Sequence, residues 1–315
     1  MTTAVETTAQ QDFLKDLISS GHFLPSGEPG LYGRGVMFER VRNAVDALVT
    51  RFGAADQPET PRFPPVMPRR TLEKAGYLKS FPHLCGSLFS FAGTDVAALD
   101  LAERASRHED WAAHLSATNL VLVPAACYPA YPAMAQRGPL PAGGATLDLG
   151  GCYVFRNEPS QDPARLQMFH QRELVRIGEA DDVLDWRERW MKRAREILAR
   201  AGLNAELDVA SDAFFGRGGK LLAKSQREQR LKFEALVPIA SGSPTAVASF
   251  NFHQDHFGTA FGMRLADGGT AHSACVGFGL ERITLALFRA HGMELRDWPE
   301  AVQEELWPDG SAAWK

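Results

Sequence analysis

Several features that would place this chain outside the ordinary folded domains are scarce or missing. No apolar run is long enough to cross a membrane. The longest uncharged apolar stretch, Leu120 to Ala135, falls short of the roughly 18–20 residues that a span needs, and Pro124, Pro129 and Pro132 interrupt it. The opening residues, MTTAVETTAQQD, hold neither a basic cluster nor an apolar core, so no secretory leader is expected there. Cysteine is sparse. Cys85, Cys127, Cys152 and Cys275 lie far apart with no Cys-x-x-Cys pair, which argues against a disulfide framework and for a reducing compartment, the cytoplasm. Neither charge sign dominates: 34 Lys and Arg against 38 Asp and Glu leave −4. That balance offers no global attraction to nucleic acid or anionic membrane, so any phosphate binding must be local. There is no P-loop, no Gly-x-Gly-x-x-Gly after a strand, no internal repeat and no sustained heptad pattern. Nucleotide binding of the P-loop or doubly wound kind is thereby excluded.

What is present is a chain of 315 residues, 45% hydrophobic and 23% charged. That suffices for one large or two smaller domains with a sizeable core. Residues 1–12 are polar and expected to fray. Apolar spacing predicts helices over 37–52, 99–118, 185–201 and 280–291, the last stopped by Gly292. Strands are expected at 120–128, 151–158, 168–177, 230–240, 245–252, 258–264 and 270–276. The pair 151–158 and 168–177 reads as an antiparallel hairpin with a long loop. The second half therefore looks like an antiparallel sheet with flanking helices, an α+β arrangement. Residues 1–35 would form an N-terminal extension and 36–315 the main domain.

Four patterns could carry chemistry, and each has an ordinary structural alternative. Phe155-Arg156-Asn157-Glu158 is followed across a loop by His170-Gln171-Arg172-Glu173. A fixed guanidinium matches a phosphate and a nearby carboxylate orients an amine; cross-strand ion pairing would also explain the pattern. Gly277-Phe278-Gly279-Leu280-Glu281-Arg282 sits at a strand-to-helix junction. A cation in a first helical turn is unfavourable unless it faces an anion, or is merely solvated. Cys127, Glu173 and Cys275 could bind Zn²⁺ with an open fourth position, although buried cysteines are usually just small apolar residues. The helix 185–201 carries six basic residues against three acidic ones, suited to an acidic partner or to solvent. His253 and His256 either line a site or are satisfied in the core. Cys85 and Cys152 are expected to be buried.

Taken together, FRNE with MFHQRE resembles the second signature motif of class II aminoacyl-tRNA synthetases, and GFGLER the third. PPVMPRRTLEKAGYLKSFP, residues 64–82, sits where a degenerate dimerisation motif would lie. The spacing of LVPAACYP, HQRE and SFNFHQDHFG is seryl-like, and the resemblance spans roughly residues 35–295. Ala125-Ala126-Cys127 stands where typical bacterial seryl enzymes have a Thr-x-Glu segment; the cysteine is similar to the zinc-dependent atypical forms. The long N-terminal arm that grips tRNA in seryl-tRNA synthetases has no counterpart here. That combination resembles the amino acid:[carrier protein] ligases.

The resemblance implies ATP-dependent adenylation of glycine, alanine or serine, then transfer to the phosphopantetheine thiol of an acidic carrier protein, with no tRNA partner. It implies Arg156, Glu158 and Arg282 as catalytic groups. Arg165, Leu166, Lys232, Ala246, Val247, Ala248 and Ser249 become further ATP contacts, and the adenine-stacking position falls on Arg172. Glu173 and Asn251 would bind substrate. Cys127, Glu173 and Cys275 would hold one Zn²⁺ for the substrate amine, and Mg²⁺ would accompany ATP. The helix 185–201 is the candidate carrier-docking element, and a homodimer is implied. A minimal seryl-type tRNA synthetase and a non-catalytic regulatory paralogue remain the alternatives.

Overall fold

The computed structural model describes residues 2–240 and 244–310, with only the backbone at 2–9 and 217. The chain opens with α1 (Thr2–Ser19), β1 (Phe23–Pro25), β2 (Tyr32–Arg34) and α2 (Val36–Gly53). A proline-rich stretch leads to β3 (Val66–Pro68), α3 (Arg69–Lys74), α4 (Tyr77–Ser80), β4 (Ser87–Phe91), α5 (Asp95–Ser106) and β5 (Leu115–Leu122). Next come α6 (Ala130–Ala135), β6 (Ala145–Asp148), β7 (Cys152–Phe155), β8 (Met168–Gly178) and α7 (Ala180–Arg200). The last third holds β9 (Glu206–Val209), α8 (Gly216–Glu228), β10 (Lys232–Val237), β11 (Thr245–Gln254), α9 (His256–Phe261), β12 (His272–Gly279), α10 (Leu280–His291) and α11 (Glu300–Leu306).

Seven strands form the central sheet in the order β6-β8-β12-β11-β10-β9, with β7 also on β8. All its pairs are antiparallel. The 11-residue β8 holds β7 along its first half and β6 along its second. Strand alternation sends successive side chains to opposite faces. Leu174 on β8 and Ala274, Val276 and Phe278 on β12 enter one core cluster, with Trp186, Trp190, Leu48 and Phe288 from α7, α2 and α10. Val175, Ile177 and Cys275 enter the other, beneath α6, α9 and the segment around Met67 and Tyr77. The helix α7 forms because Val183, Trp186, Trp190, Ala194, Ile197 and Leu198 share one buried stripe. Both indole N–H groups, of Trp186 and Trp190, donate to Asp56 Oδ2.

A separate three-stranded sheet, β3-β5-β4, stands beside this body. The helix α5 attached to it buries none of its residues, leaving Phe89, Val96 and Leu99 open.

The expected helix 99–118 ends at Ser106, and Leu115 onward pairs with β4 as a strand. Residues 123–128 of the expected strand 120–128 lie beyond β5. The expected strand 258–264 overlaps the helix α9 instead: Phe257 and Phe261, four residues apart, both stack on Tyr131. The strand expected at 151–158 stops at Phe155. The N-terminus is helical from Thr2 rather than frayed, and Phe13, Leu14 and Leu17 enter the first core cluster; Met1 lies outside the described residues. Cys152 is buried and Cys85 half-buried.

Candidate active site

A cavity of about 890 Å³ opens on the sheet face opposite α7. Arg156 and Glu158 reach it from the loop after β7, Arg165 from the loop before β8, Lys232 from β10, Ala246 and Ser249 from β11, and Arg282 from α10. Arg282 is held by two backbone carbonyls: Nε donates to Ala164 O at 2.8 Å and Nη1 to Ala246 O at 2.9 Å. Burial, aided by the neighbouring positive charges of Arg156 and Arg165, pushes its pKa down to about 10. Three guanidinium groups thus converge on one wall, an arrangement that an anion relieves. Lys232 is already committed, with Nζ 2.6 Å from Asp212 and 2.9 Å from Glu234. Burial pulls its pKa down, but the two carboxylates outweigh that and raise it.

At the other end lie Cys127, Glu173 and Cys275, all buried, with their ligand atoms within 4.8 Å of one another. Glu173 projects from β8, Cys275 from β12 and Cys127 from the turn after β5. Glu173 Oε2 accepts the Cys127 backbone N–H at 2.8 Å, which fixes the carboxylate. Burial raises the pKa of Glu173 and of Cys127. The Cys275 thiol is pushed well up by its hydrogen bond with Cys127 and by burial. Two thiols and a carboxylate crowded in a dry site repel as anions, and a divalent cation is the partner that reconciles them. Two sulfurs and one oxygen, with cavity in front, match a zinc site with an open position. Asn251 and His253 line the same region, and both reach Cys275 Sγ at 3.4 Å. Burial, with His256 adding to it, pushes the His253 pKa down to about 3.

The three ligand candidates, the three expected catalytic residues and Arg165, Lys232, Ala246, Ser249 and Asn251 therefore share one cavity. Leu166, Val247 and Ala248 do not line it; all three are packed in the first core cluster. The β10–β11 register shows why: Ala235 faces Ala248 but Leu236 faces Ala246, so Val247 is the extra residue of a bulge. Arg172, the expected adenine-stacking position, does not line the cavity. It lies between Gln171 and Glu173, so alternation turns it to the other face, where it pairs with Asp46 and Asp148.

The basic helix expected to dock a partner is α7, behind the sheet. Of its basic residues, Arg187 donates to the carbonyls of Arg230 and Leu231, Arg193 pairs with Asp56, and Arg200 pairs with Glu196. Arg189, Lys192 and Arg195 are exposed. Sequence reasoning passed over α8. Its Leu222, Ser225 and Gln226 line the cavity, and Leu221 stands 71% exposed. Its signal was the basic, leucine-containing run Lys220-Leu221-Leu222-Ala223-Lys224 next to a glycine pair.

Comparison with known proteins finds two relatives across nearly the whole chain. The sequence is 46% identical over 305 residues to amino acid--[acyl-carrier-protein] ligase 1 of Bradyrhizobium diazoefficiens, covering 96% of this chain and 92% of that protein. It is 46% identical over 292 residues to ligase 2 of the same organism, covering 92% and 87%. No family model matches the chain. Among solved structures, the seryl-tRNA synthetase of M. kandleri, in complex with A. aeolicus tRNASec, superposes with a TM-score of 0.81 at 20% identity. That match covers 96% of this chain and 61% of the synthetase chain. The fold is that of class II aminoacyl-tRNA synthetases.

Proposed function

The chain belongs to the amino acid--[acyl-carrier-protein] ligase family, and from that premise we propose that it adenylates a small amino acid with ATP and passes it to a carrier protein. Glycine, alanine or serine is the substrate, the acceptor is a phosphopantetheine thiol, and AMP and diphosphate are released. The observation that carries this reading is the shared cavity: three arginines at one end, two thiols and a buried carboxylate at the other.

In the first step a carboxylate oxygen of the amino acid attacks the α-phosphorus, and the bond to the bridging oxygen of diphosphate breaks. Positioning and charge stabilisation dominate such a transfer. Arg156 and Arg282 grip the phosphates and offset charge developing on the α-phosphoryl oxygens. Arg282 arrives pre-aligned by its two carbonyl contacts, so little reorganisation is needed. Glu158 accepts the adenine amino group, and Arg165 closes over the nucleotide from its loop. Mg²⁺ accompanies ATP. Cys127, Glu173 and Cys275 would hold a Zn²⁺, which would supply a Lewis-acid anchor for the unprotonated α-amino group. In the second step the carrier's sulfur attacks the acyl carbonyl, and the bond to AMP breaks.

The carrier approaches over α8. Lys220, Lys224 and Arg227 suit an acidic partner, Leu221 and Leu222 offer apolar contact, and the same helix borders the cavity. α7, on the far face, offers a pantetheine arm no direct entry. Homodimerisation through the small sheet fits the open Phe89 on β4 and Val96 and Leu99 on α5. No helix among the described residues is long and apolar enough to cross a membrane, which is compatible with work in the cytoplasm.

The test is carrier loading. Incubation with ATP, Mg²⁺, holo carrier protein and glycine, alanine or serine in turn should raise the carrier mass by one aminoacyl group. No mass gain with any of the three overturns the reading. Charging of tRNA instead would favour the minimal synthetase.

A further inference from the structure

The candidate ligand Cys275 has two nitrogen neighbours. Asn251 Nδ2 and His253 Nε2 each lie 3.4 Å from its sulfur. His253 owes that position to a defect in the ladder. Phe252 faces Ala274, but Gln254 faces Ser273, so His253 is the extra residue of a β11 bulge. Gln254 takes the left-handed conformation beside it, with φ 54°. Bulges re-aim a side chain at the cost of a ladder bond. Here the ring is turned toward the sulfur and Ser273 together.

The hydrogen bonding follows from the zinc reading: a metal-bound Cys275 would be a thiolate, which only accepts, so Nε2 would carry the proton. Nδ1 is then an acceptor, and Ser273 Oγ, fully buried, is 3.0 Å away and donates to it. Tyr131 OH stands 3.4 Å from the same nitrogen, and the rings of Tyr131 and Phe257 enclose the imidazole. The ring is not itself a member of the close ligand group, which contains only Cys127, Glu173 and Cys275.

We propose that His253, locked by Ser273, is a positioning residue whose Nε2–H donates a hydrogen bond to Cys275 Sγ and holds that sulfur as an oriented thiolate for the metal. The inference rests on the zinc reading above, and its test separates the two. Outer-shell partners of metal ligands typically contribute about 10–100-fold in metal affinity.

The full chain and its His253→Phe, His253→Gln and Ser273→Ala variants are stripped of metal and titrated with Zn²⁺ against a competing chelator. They are then loaded with Co²⁺, and the thiolate-to-metal charge-transfer band is recorded. His253→Phe should lose about 10–100-fold in affinity and shift the band. His253→Gln, which still offers an N–H, should recover most of both. Ser273→Ala should move both readouts in the same direction by a smaller amount. Wild-type affinity and band in His253→Phe and Ser273→Ala overturn the role of His253 while the zinc site stands. A wild-type chain that binds no zinc overturns both. If His253→Phe fails to fold, Ser273→Ala decides, and an unchanged affinity and band there reject the inference.

Discussion

On one face of the central sheet, Leu174, Val276 and Phe278 meet the tryptophans of α7 and leave no room for solvent. On the other, Glu173 and Cys275, only a residue away along the same strands, and Asn251 on β11 meet a cavity. The backbone is identical in kind on both sides; alternation divides the face packed against α7 from the face that carries the cavity. Substitutions on the cavity side should therefore change reaction and binding with little effect on melting. Those on the helix side should do the reverse.

The sharpest break of that contrast would come at Arg156. Arg156→Ala is expected to lower amino-acid-dependent pyrophosphate exchange by on the order of 10²–10³-fold, as loss of one transition-state donor does, with an unchanged melting curve. Cys127→Ser should come next: zinc falls to a trace by metal analysis and carrier loading fails, while circular dichroism keeps the fold. Full loading by a zinc-free variant would remove the metal from the reaction. On the helix side, Trp190→Ala should cost about 3–5 kcal/mol of stability, read by denaturant titration, yet leave the KM for ATP unchanged below its melting point.

Charge reversal separates the two basic helices. Lys220→Glu with Lys224→Glu on α8 should raise the KM for carrier protein about tenfold, roughly 1.4 kcal/mol, and spare pyrophosphate exchange. Arg189→Glu with Lys192→Glu on α7 should change neither; the opposite result would restore α7 as the docking element. The smallest effect belongs to His22, whose ring is buried against Phe288 and whose Nε2 meets Met293 O. Burial lowers its pKa below the ordinary 6.5. The unfolded chain therefore takes up the proton first, and stability contributed by this residue is lost as pH falls below about 6.5. His22→Gln should flatten that part of the stability profile.

Much of the site was legible because its residues are chemically rare at their places. The charged runs Arg156-Asn157-Glu158 and His170-Gln171-Arg172-Glu173, and an arginine in the first helical turn after Gly277 and Gly279, declare themselves without coordinates. The convergence of Cys127, Glu173 and Cys275 was readable only through resemblance, since 46 and 102 positions separate Glu173 from its partners. Leu166, Val247, Ala248 and Arg172 entered through the resemblance, yet none of them lines the cavity: Val247 and Ala248 sit at a bulge, and Arg172 is a single step along β8 from cavity-facing neighbours. α9 was misread because a six-residue helix offers too few turns for a period to emerge, and its Phe257 and Phe261 fit either pattern. The strand at Leu115 forms against β4, a tertiary pairing that local spacing does not register. The basic helix 185–201 was singled out by its charge; that it lies behind the sheet, away from the cavity, is a tertiary placement that counting charge does not register.

β12 passes into α10 with no intervening loop. Cys275 and Arg282 therefore ride on one unbroken stretch of backbone, one near each end of the cavity. An inserted residue within it would either turn the strand over or rotate the helix by about 100°. The span between the thiol-bearing end and the arginine-bearing end is thus a matter of residue count. Drift in the lining side chains can retune the width of the chamber, but its length is a ruler that point substitutions cannot recut.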